Sequence, residues 1–211
     1  MTGGLVCVAG IDLASGAMVR PLKTDGTNWE EEKWVNGGYM VVGNVLNLEP
    51  GNTPHRSFPH AHEDFFVLTV GVAGEATNTE LFSACNATAS VSVASVLDPH
   101  IMAKKYVNAG SECRSLFCVV QPKHSIKLSD KFEKIQLSFP CYDGWYNLPV
   151  TDLAARSAGD PTAGVENLRG RIDGASSHIA VRLGLAREWD GPNHDYDPKR
   201  CYLQVNGVIG N

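Results

Sequence analysis

Short apolar runs with period-two alternation dominate the chain. They read GLVCVAGIDL, AMVRPL, VVGNVLNLE, DFFVLTVGV, SLFCVVQP, KIQLSFP, HIAVRLGL and CYLQVNGVIG. Alternation of this kind is typical of half-buried β-strands. Clusters of Gly, Pro, Asn and Asp separate the runs, such as NGG at 36–38 and WDGPNHDYDP at 189–198, and they mark turns. The pattern predicts an all-β protein built as a sandwich or as small barrels, with short helices.

Helical signals are few. A helix is expected over residues 77–87, where Thr77 or an Asn is a candidate N-cap, and a shorter one over 152–157 after Thr151. Residues 156–177 match no motif and are expected to form a loop. The runs divide into two halves, so we predict two domains, residues 1–97 and 98–211.

Composition and charge limit the possible functions. A chain of 211 residues with 43% hydrophobic content can bury one sizeable core or two modest ones. The formal net charge of −5 argues against a broadly basic surface, so contact with nucleic acid requires a local basic groove. The sequence contains no long apolar window and its first residues lack signal-peptide features, which predicts a cytoplasmic protein that does not associate with membranes.

The sequence offers little support for catalysis. It contains no GxSxG, GxxxxGK[ST] or HExxH motif. Its six cysteines are too dispersed for a zinc ribbon, and Cys7, Cys118 and Cys201 lie in apolar strand patterns, where buried thiols are expected. A non-catalytic protein without a cofactor is therefore favoured.

The first hairpin, VCVAGIDLASGAMVRPL at 6–22, ends in a permanent cation. If alternation turns Val19 inward, Arg20 faces out toward a binding surface, where its planar fork of donors suits a phosphate. The alternative is a salt bridge from Arg20 to a nearby Asp or Glu. Lys23 is assigned to the same predicted surface.

The densest polar cluster is HRSFPHAHEDFF at 55–66. In an extended segment His60 and His62 share one face, with Asp64 as a possible third metal ligand, which makes a metal-dependent, cupin-like barrel enzyme an alternative. Glu63 follows His62 without the gap that the cupin motif has. We therefore favour a metal-free cluster in which Arg56, His60 and His62 contact the ligand.

Two aromatic groups are candidates for base stacking. The first consists of Trp29, Trp34 and Tyr39. Trp29 and Trp34 flank the acidic residues 30–32, which repel phosphate, so we assign this group to packing at a barrel end rather than to binding.

The second group lies in the second half, where Arg169, Arg171, Arg182 and Arg187 form the main basic concentration. Alternation places Arg182 on the outer face of a strand with Trp189 beyond, and a basic and aromatic face is typical of single-strand binders. We predict contacts from Arg182, Arg187 and Trp189, with a merely solvated strand face as the alternative.

Four motifs resemble the prokaryotic dual OB-containing domain proteins. They are CVAGIDLASGAMVRPL at 7–22, HAHEDF at 60–65, GWYNLPVTD at 144–152 and VRLGLAREW at 181–189. Met18 departs from the pattern, since Trp is common there. The resemblance implies two OB-like barrels in tandem and nucleic-acid binding, in a setting of prokaryotic defence.

The residues and the resemblance together predict a module that binds nucleic acid, single-stranded in the favoured case, or a nucleotide-like ligand. A metal-dependent enzyme centred on His60 and His62 is one alternative, and a scaffold for protein partners is another.

Overall fold

A computed structural model describes residues 4–53, 57–130, 134–156 and 160–211. In the described part of the chain the strands are Leu5–Val6 (β1), Gly10–Ile11 (β2), Met18–Lys23 (β3), Trp29–Glu30 (β4), Asn44–Pro50 (β5), Asp64–Glu75 (β6), Tyr106–Asn108 (β7), Leu116–Pro122 (β8), Lys127–Ser129 (β9), Gln136–Cys141 (β10), Gly144–Pro149 (β11), His178–Leu185 (β12) and Arg200–Gly210 (β13). The α-helices are Asn78–Ala87 (α1), Ala94–Leu97 (α2), Leu153–Arg156 (α3) and Pro161–Gly174 (α4). A π-helical turn spans Glu31–Val35 and a 3-10 turn spans Lys123–Ser125.

The strands form two four-stranded sheets and two smaller ones. The first four-stranded sheet has the order β2-β3-β6-β5, and within it β3 and β6 run parallel. The second has the order β7-β13-β12-β8 and is antiparallel throughout. A three-stranded sheet, β11-β10-β9, and the pair β1-β4 complete the set. The prediction of a mostly β protein with short helices is confirmed.

The largest hydrophobic core lies in the second half of the chain. It includes Phe117, Phe139, Tyr146, Leu183 and Leu203, all nearly inaccessible to solvent, which come from both sheets of that half.

The core of the first half is smaller. Its buried members are Val6, Trp29, Met40 and Val67. Helices α1 and α2 precede residue 98 yet pack on the second half, since Cys85 and Leu97 join its hydrophobic clusters. The domain division at residue 97 stays a prediction.

Helix α1 confirms the capping signal in the sequence. The Thr77 hydroxyl accepts a hydrogen bond from the Glu80 backbone N–H, and the Glu80 carboxylate accepts one from the Thr77 N–H in return. This capping box satisfies two of the N–H groups that a helix start leaves unpaired.

Helix α4 contradicts the expectation of a loop over 156–177. Asp160 caps it by accepting a hydrogen bond from Ala163 N–H at 2.7 Å, and Val165, Leu168 and Ile172 face the core. Gly164 weakened the sequence signal, yet a Cβ there would lie 2.4 Å from the Ala155 carbonyl oxygen. Close helix packing therefore requires this glycine, at the expense of helix propensity.

All six cysteines are free thiols. Cys118 and Cys201 are buried as predicted, but Cys7 is exposed, because β1 ends at Val6 and it is Val6 that faces the core. The longest described helix, α4, has 14 residues, and none of the described helices has the length and apolar character needed to cross a bilayer.

Candidate functional site

The segment that contains His60 and His62 is a series of turns before β6, not an extended strand. His60 is 6% exposed, whereas His62 is exposed and its ring lies 5.1 Å from that of Phe58. The prediction that the two imidazoles share one face is therefore wrong. Alternation places residues i and i+2 together only when the backbone is extended.

Arg20 is buried, with 2% exposure. Its Nη1 donates to Oδ1 of Asp64 at 2.9 Å and lies 3.0 Å from Nδ1 of His60, and its Nη2 donates to Oγ of Ser115 at 3.2 Å. The parallel register of β3 and β6 places Arg20 beside Asp64. The prediction of an outward-facing Arg20 is wrong, and the salt bridge considered as its alternative is present. A side chain this buried offers no surface to a nucleic acid.

Along β3 the face that carries Arg20 is the more buried one. Met18, Arg20 and Leu22 are all buried, whereas on the other face Pro21 is buried but Val19 is only half-buried. Period-two spacing fixes which residues share a face but not which face meets the core. The face of β3 that meets the core is the one on which Arg20 pairs with Asp64 of β6.

Two further side chains tie the same region to the second half of the chain. Both oxygens of the Glu63 carboxylate accept hydrogen bonds from Ser115, one from its backbone N–H and one from its hydroxyl, each at 2.8 Å. Arg187 donates from Nη1 to Oδ2 of Asp64 at 2.7 Å. We call this set the Asp64 network: Arg20, His60, Glu63, Asp64, Ser115 and Arg187.

Burial controls the protonation of His60. Desolvation, followed by the positive charges of Arg20 and Arg187, lowers the pKa of His60 from 6.5 to about 3. Arginine can only donate, so Nδ1 of the neutral imidazole accepts from Arg20 and the ring proton lies on Nε2.

The Asp64 network does not have the character of a metal site. One arginine occupies each carboxylate oxygen of Asp64, and two guanidinium groups near His60 repel a cation. Within the described ranges, no group of three or more His, Cys, Asp and Glu side chains is arranged to hold a metal ion. The extended His60–His62 geometry that the cupin-like alternative requires is absent.

Lys23 and Arg182 are both engaged in contacts within the protein. Lys23 Nζ lies 2.7 Å from Oε1 of Glu30. Arg182 lies on the strand face opposite Val181, as alternation predicts, but that face is covered: Ala180 on the same face is inaccessible, and Arg182 Nη2 donates to the Ala9 carbonyl at 2.7 Å. The prediction of an open strand face at Arg182 is therefore wrong. Arg56 lies outside the described residues.

The arginines of the second half do not form one patch. On α4, Arg169 pairs with Glu166, and Arg171 Nη1 lies 3.1 Å from Oδ2 of Asp152. Arg182 and Arg187 instead contact the first half of the chain.

The tryptophans of the first half are packing residues. Trp29 is buried, donates from Nε1 to the Pro21 carbonyl at 2.8 Å, and meets Trp34 edge-to-face at 4.7 Å between ring centroids. Trp34 in turn contacts Tyr39 at 5.6 Å. The prediction that this group packs is confirmed for Trp29, which is a core residue.

An aromatic cluster surrounds the start of β13, and we call it the Arg200 cluster. Its members are Tyr106, Trp189, Tyr196, Arg200 and Tyr202. The Arg200 guanidinium carbon lies 3.7 Å from the ring centroid of Tyr196 and 4.5 Å from that of Tyr106. Trp189 contacts Tyr196 and Tyr202 at 5.6 and 5.9 Å. Every aromatic member touches another aromatic ring or the guanidinium.

The sheet positions the Arg200 cluster. Cys201 and Leu203 face the core, so alternation along β13 turns Arg200 and Tyr202 to the outer face, and the β13–β7 register places Tyr106 opposite Tyr202. Trp189 and Arg200 exchange both backbone hydrogen bonds at 2.9 Å. Trp189 remains 45% exposed, and the Arg187 side chain, two residues earlier, is 44% exposed.

The sequence pattern pointed to Arg187 and Trp189 but not to Tyr106, Tyr196, Arg200 and Tyr202. The pattern RCYL at 200–203 already placed Arg200 and Tyr202 on one face. The contribution of Tyr106 depends on pairing with a strand nearly a hundred residues away, which no local pattern reveals.

Ion pairs neutralise part of the charge around the Arg200 cluster. Lys199 pairs with Glu188 at 2.9 Å, and Nδ1 of His194 lies 2.7 Å from the Asp190 carboxylate. Arg200 shares backbone hydrogen bonds with Trp189, and Arg187 lies two residues before it with one guanidinium nitrogen on Asp64.

Comparisons with known proteins place the chain in a family. Neither the curated proteins nor the solved structures that were searched contain a match. A family model described as the dual OB-containing domain matches residues 1–208 of the 211. The chain therefore belongs to the dual OB-containing domain family.

Proposed function

We propose that the protein binds single-stranded nucleic acid through the Arg200 cluster, as a non-catalytic module. The proposal rests on the half-exposed Trp189 beside an arginine whose guanidinium contacts two tyrosine rings. Membership of a family with two OB-containing domains supports a binding role, since OB folds commonly bind oligonucleotides.

Stacking explains how such a surface binds without a strongly basic field. Each base stacked on an aromatic side chain contributes ~1–3 kcal/mol, and every base has a π-face, so the contact tolerates any sequence. The guanidinium of Arg200 already lies over the Tyr196 ring, 3.7 Å from its centroid, so little side-chain entropy is lost when a base or phosphate meets it.

The charge pattern favours a short strand over a long duplex. Arg187 and Arg200 supply two cations near Trp189, while Glu188 and Asp190 flank that residue. Duplex binders rely on many phosphate contacts, whereas a stacking surface needs unpaired bases. Single-stranded nucleic acid is therefore the ligand class that fits this surface best.

A binding titration with matched tryptophan variants tests the proposal. Fluorescein-labelled oligo(dT) of about 10 nucleotides, at low salt, is titrated with protein and followed by anisotropy. Trp189→Ala is expected to weaken binding about tenfold, because one stacking platform is lost. Trp145→Ala is the matched control, since Trp145 is similarly exposed, at 50%, but lies on β11 outside the cluster.

Two results would contradict the proposal. One is the absence of measurable binding by the wild-type protein at low salt. The other is an equal loss of affinity in the Trp189 and Trp145 variants, which would indicate non-specific contact with aromatic residues. Far-UV circular dichroism of each variant checks that the fold is retained.

One observation favours a second candidate, a scaffold for protein partners. Leu68 and Val72 on β6 are about half exposed, and from Thr69 onward β6 pairs, among the described strands, with β5 alone. Exposed apolar side chains on a two-stranded ribbon are typical of a protein-binding surface. Light scattering tests this function: self-association that Val72→Asp abolishes would support it. A protein that stays monomeric at every concentration would show that this surface does not bind a second copy of the chain.

A further inference from the structure

A basic pocket lies at the other end of the second half of the chain. It has a volume of about 370 Å³ and is formed by the 3-10 turn after β8, by β9 and by the last turns of α4. Among the described residues, its lining contains three cations, Lys123, Lys127 and Arg169, together with His124 and one carboxylate, Asp173. The rest of the lining is aliphatic. Its volume is in the range of small-molecule sites.

The lining of this pocket is predominantly positive, whereas the chain as a whole has a net charge of −5. Lys123 Nζ donates to the backbone carbonyls of Ala175 at 2.7 Å and Asp173 at 3.3 Å, which fixes the ammonium at the end of α4. An ammonium has three donors, so one is left for a ligand. Lys123 is thus held in place by backbone groups rather than neutralised by a carboxylate.

The other two cations have contacts that leave most of their donors available. Arg169 uses Nη1 for Glu166 in an exposed ion pair, and a guanidinium has five N–H donors. Lys127 Nζ lies 4.5 Å from the ring centroid of Trp145, a cation–π contact that does not cancel its charge.

We propose that this pocket binds a small phosphate-bearing anion, either inorganic pyrophosphate or the polyphosphate group of a nucleotide. Three cations and one carboxylate in the lining match the multiple negative charge of such a group. The aliphatic part of the lining reduces competition from water for these contacts.

This site is separate from the Arg200 cluster and goes beyond the proposed function. The pocket lies where β8 ends and β12 begins, since Pro122 pairs with His178. The Arg200 cluster lies at the opposite end of β12 and on the other edge strand, β7. With ~3.3 Å per strand residue and ~4.8 Å between strands, the two sites are about 25 Å apart.

Variants with opposite expected effects test the pocket. Pyrophosphate is titrated into the full-length protein by calorimetry at low ionic strength. Lys127→Met is expected to weaken binding about tenfold, because one charge-assisted contact is lost. Asp173→Asn is expected to strengthen it severalfold, because the single carboxylate that repels the anion is neutralised without a change in shape.

A second lysine provides the matched control. Lys33 also lies over a tryptophan, 5.0 Å from the Trp34 ring centroid, but belongs to the first half of the chain. Lys33→Met is expected to leave pyrophosphate affinity unchanged. Tryptophan emission of Lys127→Met and Lys33→Met reports the loss of each cation–π contact and shows that each variant is folded.

The outcomes distinguish recognition of phosphate from recognition of the nucleoside, and they test this pocket independently of the Arg200 cluster. Binding of ATP and pyrophosphate but not of adenosine supports recognition of phosphate, whereas equal binding of ATP and adenosine overturns it. The absence of pyrophosphate binding at millimolar concentration also overturns it, as does an equal effect of Lys127→Met and Lys33→Met. Oligo(dT) affinity is measured on the same variants and is expected to be unchanged, so failure of this proposal leaves the Trp189 test intact.

Discussion

The Asp64 network and the Arg200 cluster each have an arginine at their centre, but the two arginines serve opposite purposes. Arg20 is enclosed by Asp64, His60 and Ser115 and is almost inaccessible. Arg200 lies on tyrosine rings at the outer face of a sheet, beside a half-exposed tryptophan. The first arrangement joins the two halves of the chain, and the second leaves the Trp189 side chain partly exposed to solvent.

The difference shows that the density of polar residues in a sequence is a poor guide to a binding site. Both carboxylates of the polar segment 60–64, Glu63 and Asp64, are paired inside the protein. A buried charge must be paired, so the charged residues of a polar motif that becomes buried need oppositely charged or hydrogen-bonding partners from other elements. Arg187 combines features of the two regions: it pairs with the buried Asp64, and its side chain is nevertheless about half exposed.

Arg20→Ala is expected to have the largest effect. It leaves the inaccessible Asp64 with a single cation and should lower the free energy of unfolding by ~3–5 kcal/mol. Lys23→Ala, on the same strand but paired with the partly exposed Glu30, should cost no more than ~1 kcal/mol. Urea unfolding measures both, and equal losses would contradict a structural role for Arg20.

Acid is expected to destabilise the protein through His60. Its pKa is lowered to about 3 in the folded state, so stability is fully present above the unfolded pKa of 6.5 and is lost as pH falls from there toward 3. At about pH 5 the loss from this residue is ~2 kcal/mol. Urea unfolding of wild type and His60→Gln between about pH 7.5 and 5 measures it, and identical pH slopes would show that His60 is not responsible.

Arg187→Ala is expected to affect both regions. Stability should fall by ~1.5 kcal/mol, since Asp64 keeps its bond to Arg20, and oligo(dT) affinity should fall a few-fold. Arg114→Ala, at an exposed position, is the control for the loss of an arginine. An unchanged affinity for oligo(dT) would place Arg187 in the Asp64 network alone.

The smallest expected effect is that of salt on nucleic-acid binding. Two phosphate contacts, from Arg187 and Arg200, predict a slope of about −1.4 in log affinity against log salt, or about sevenfold between roughly 50 and 200 mM. Arg200→Ala should reduce the magnitude of this slope by about 0.7. Anisotropy at several salt concentrations measures it, and a slope steeper than about −4 would indicate a broad basic surface instead of a stacking surface.

Local signals in the sequence were sufficient to predict elements that depend on residues close together in the chain. The alternating runs became strands such as β8 and β13, and the Thr77 cap began α1 where it was expected. The resemblance carried by four short motifs is confirmed by the family match over 1–208. Helix α4 was missed because Gly164 lowers helix propensity, while the tight contact with Ala155 that requires it is tertiary.

The sequence by itself determined that the chain is mostly β, where most strands lie, and which residues alternate together on a strand. Only the tertiary structure decided which face of each strand is buried. Alternation divides the residues of a strand between two faces, and packing against partner strands then determines which face meets the core. Parallel pairing of β3 with β6 turned Arg20 inward to Asp64, and pairing of β13 with β7 placed Tyr106 beside Tyr202 at the exposed cluster. The contacts that distinguish a structural arginine from one available for binding are long-range, so they exist only once the strands have been paired.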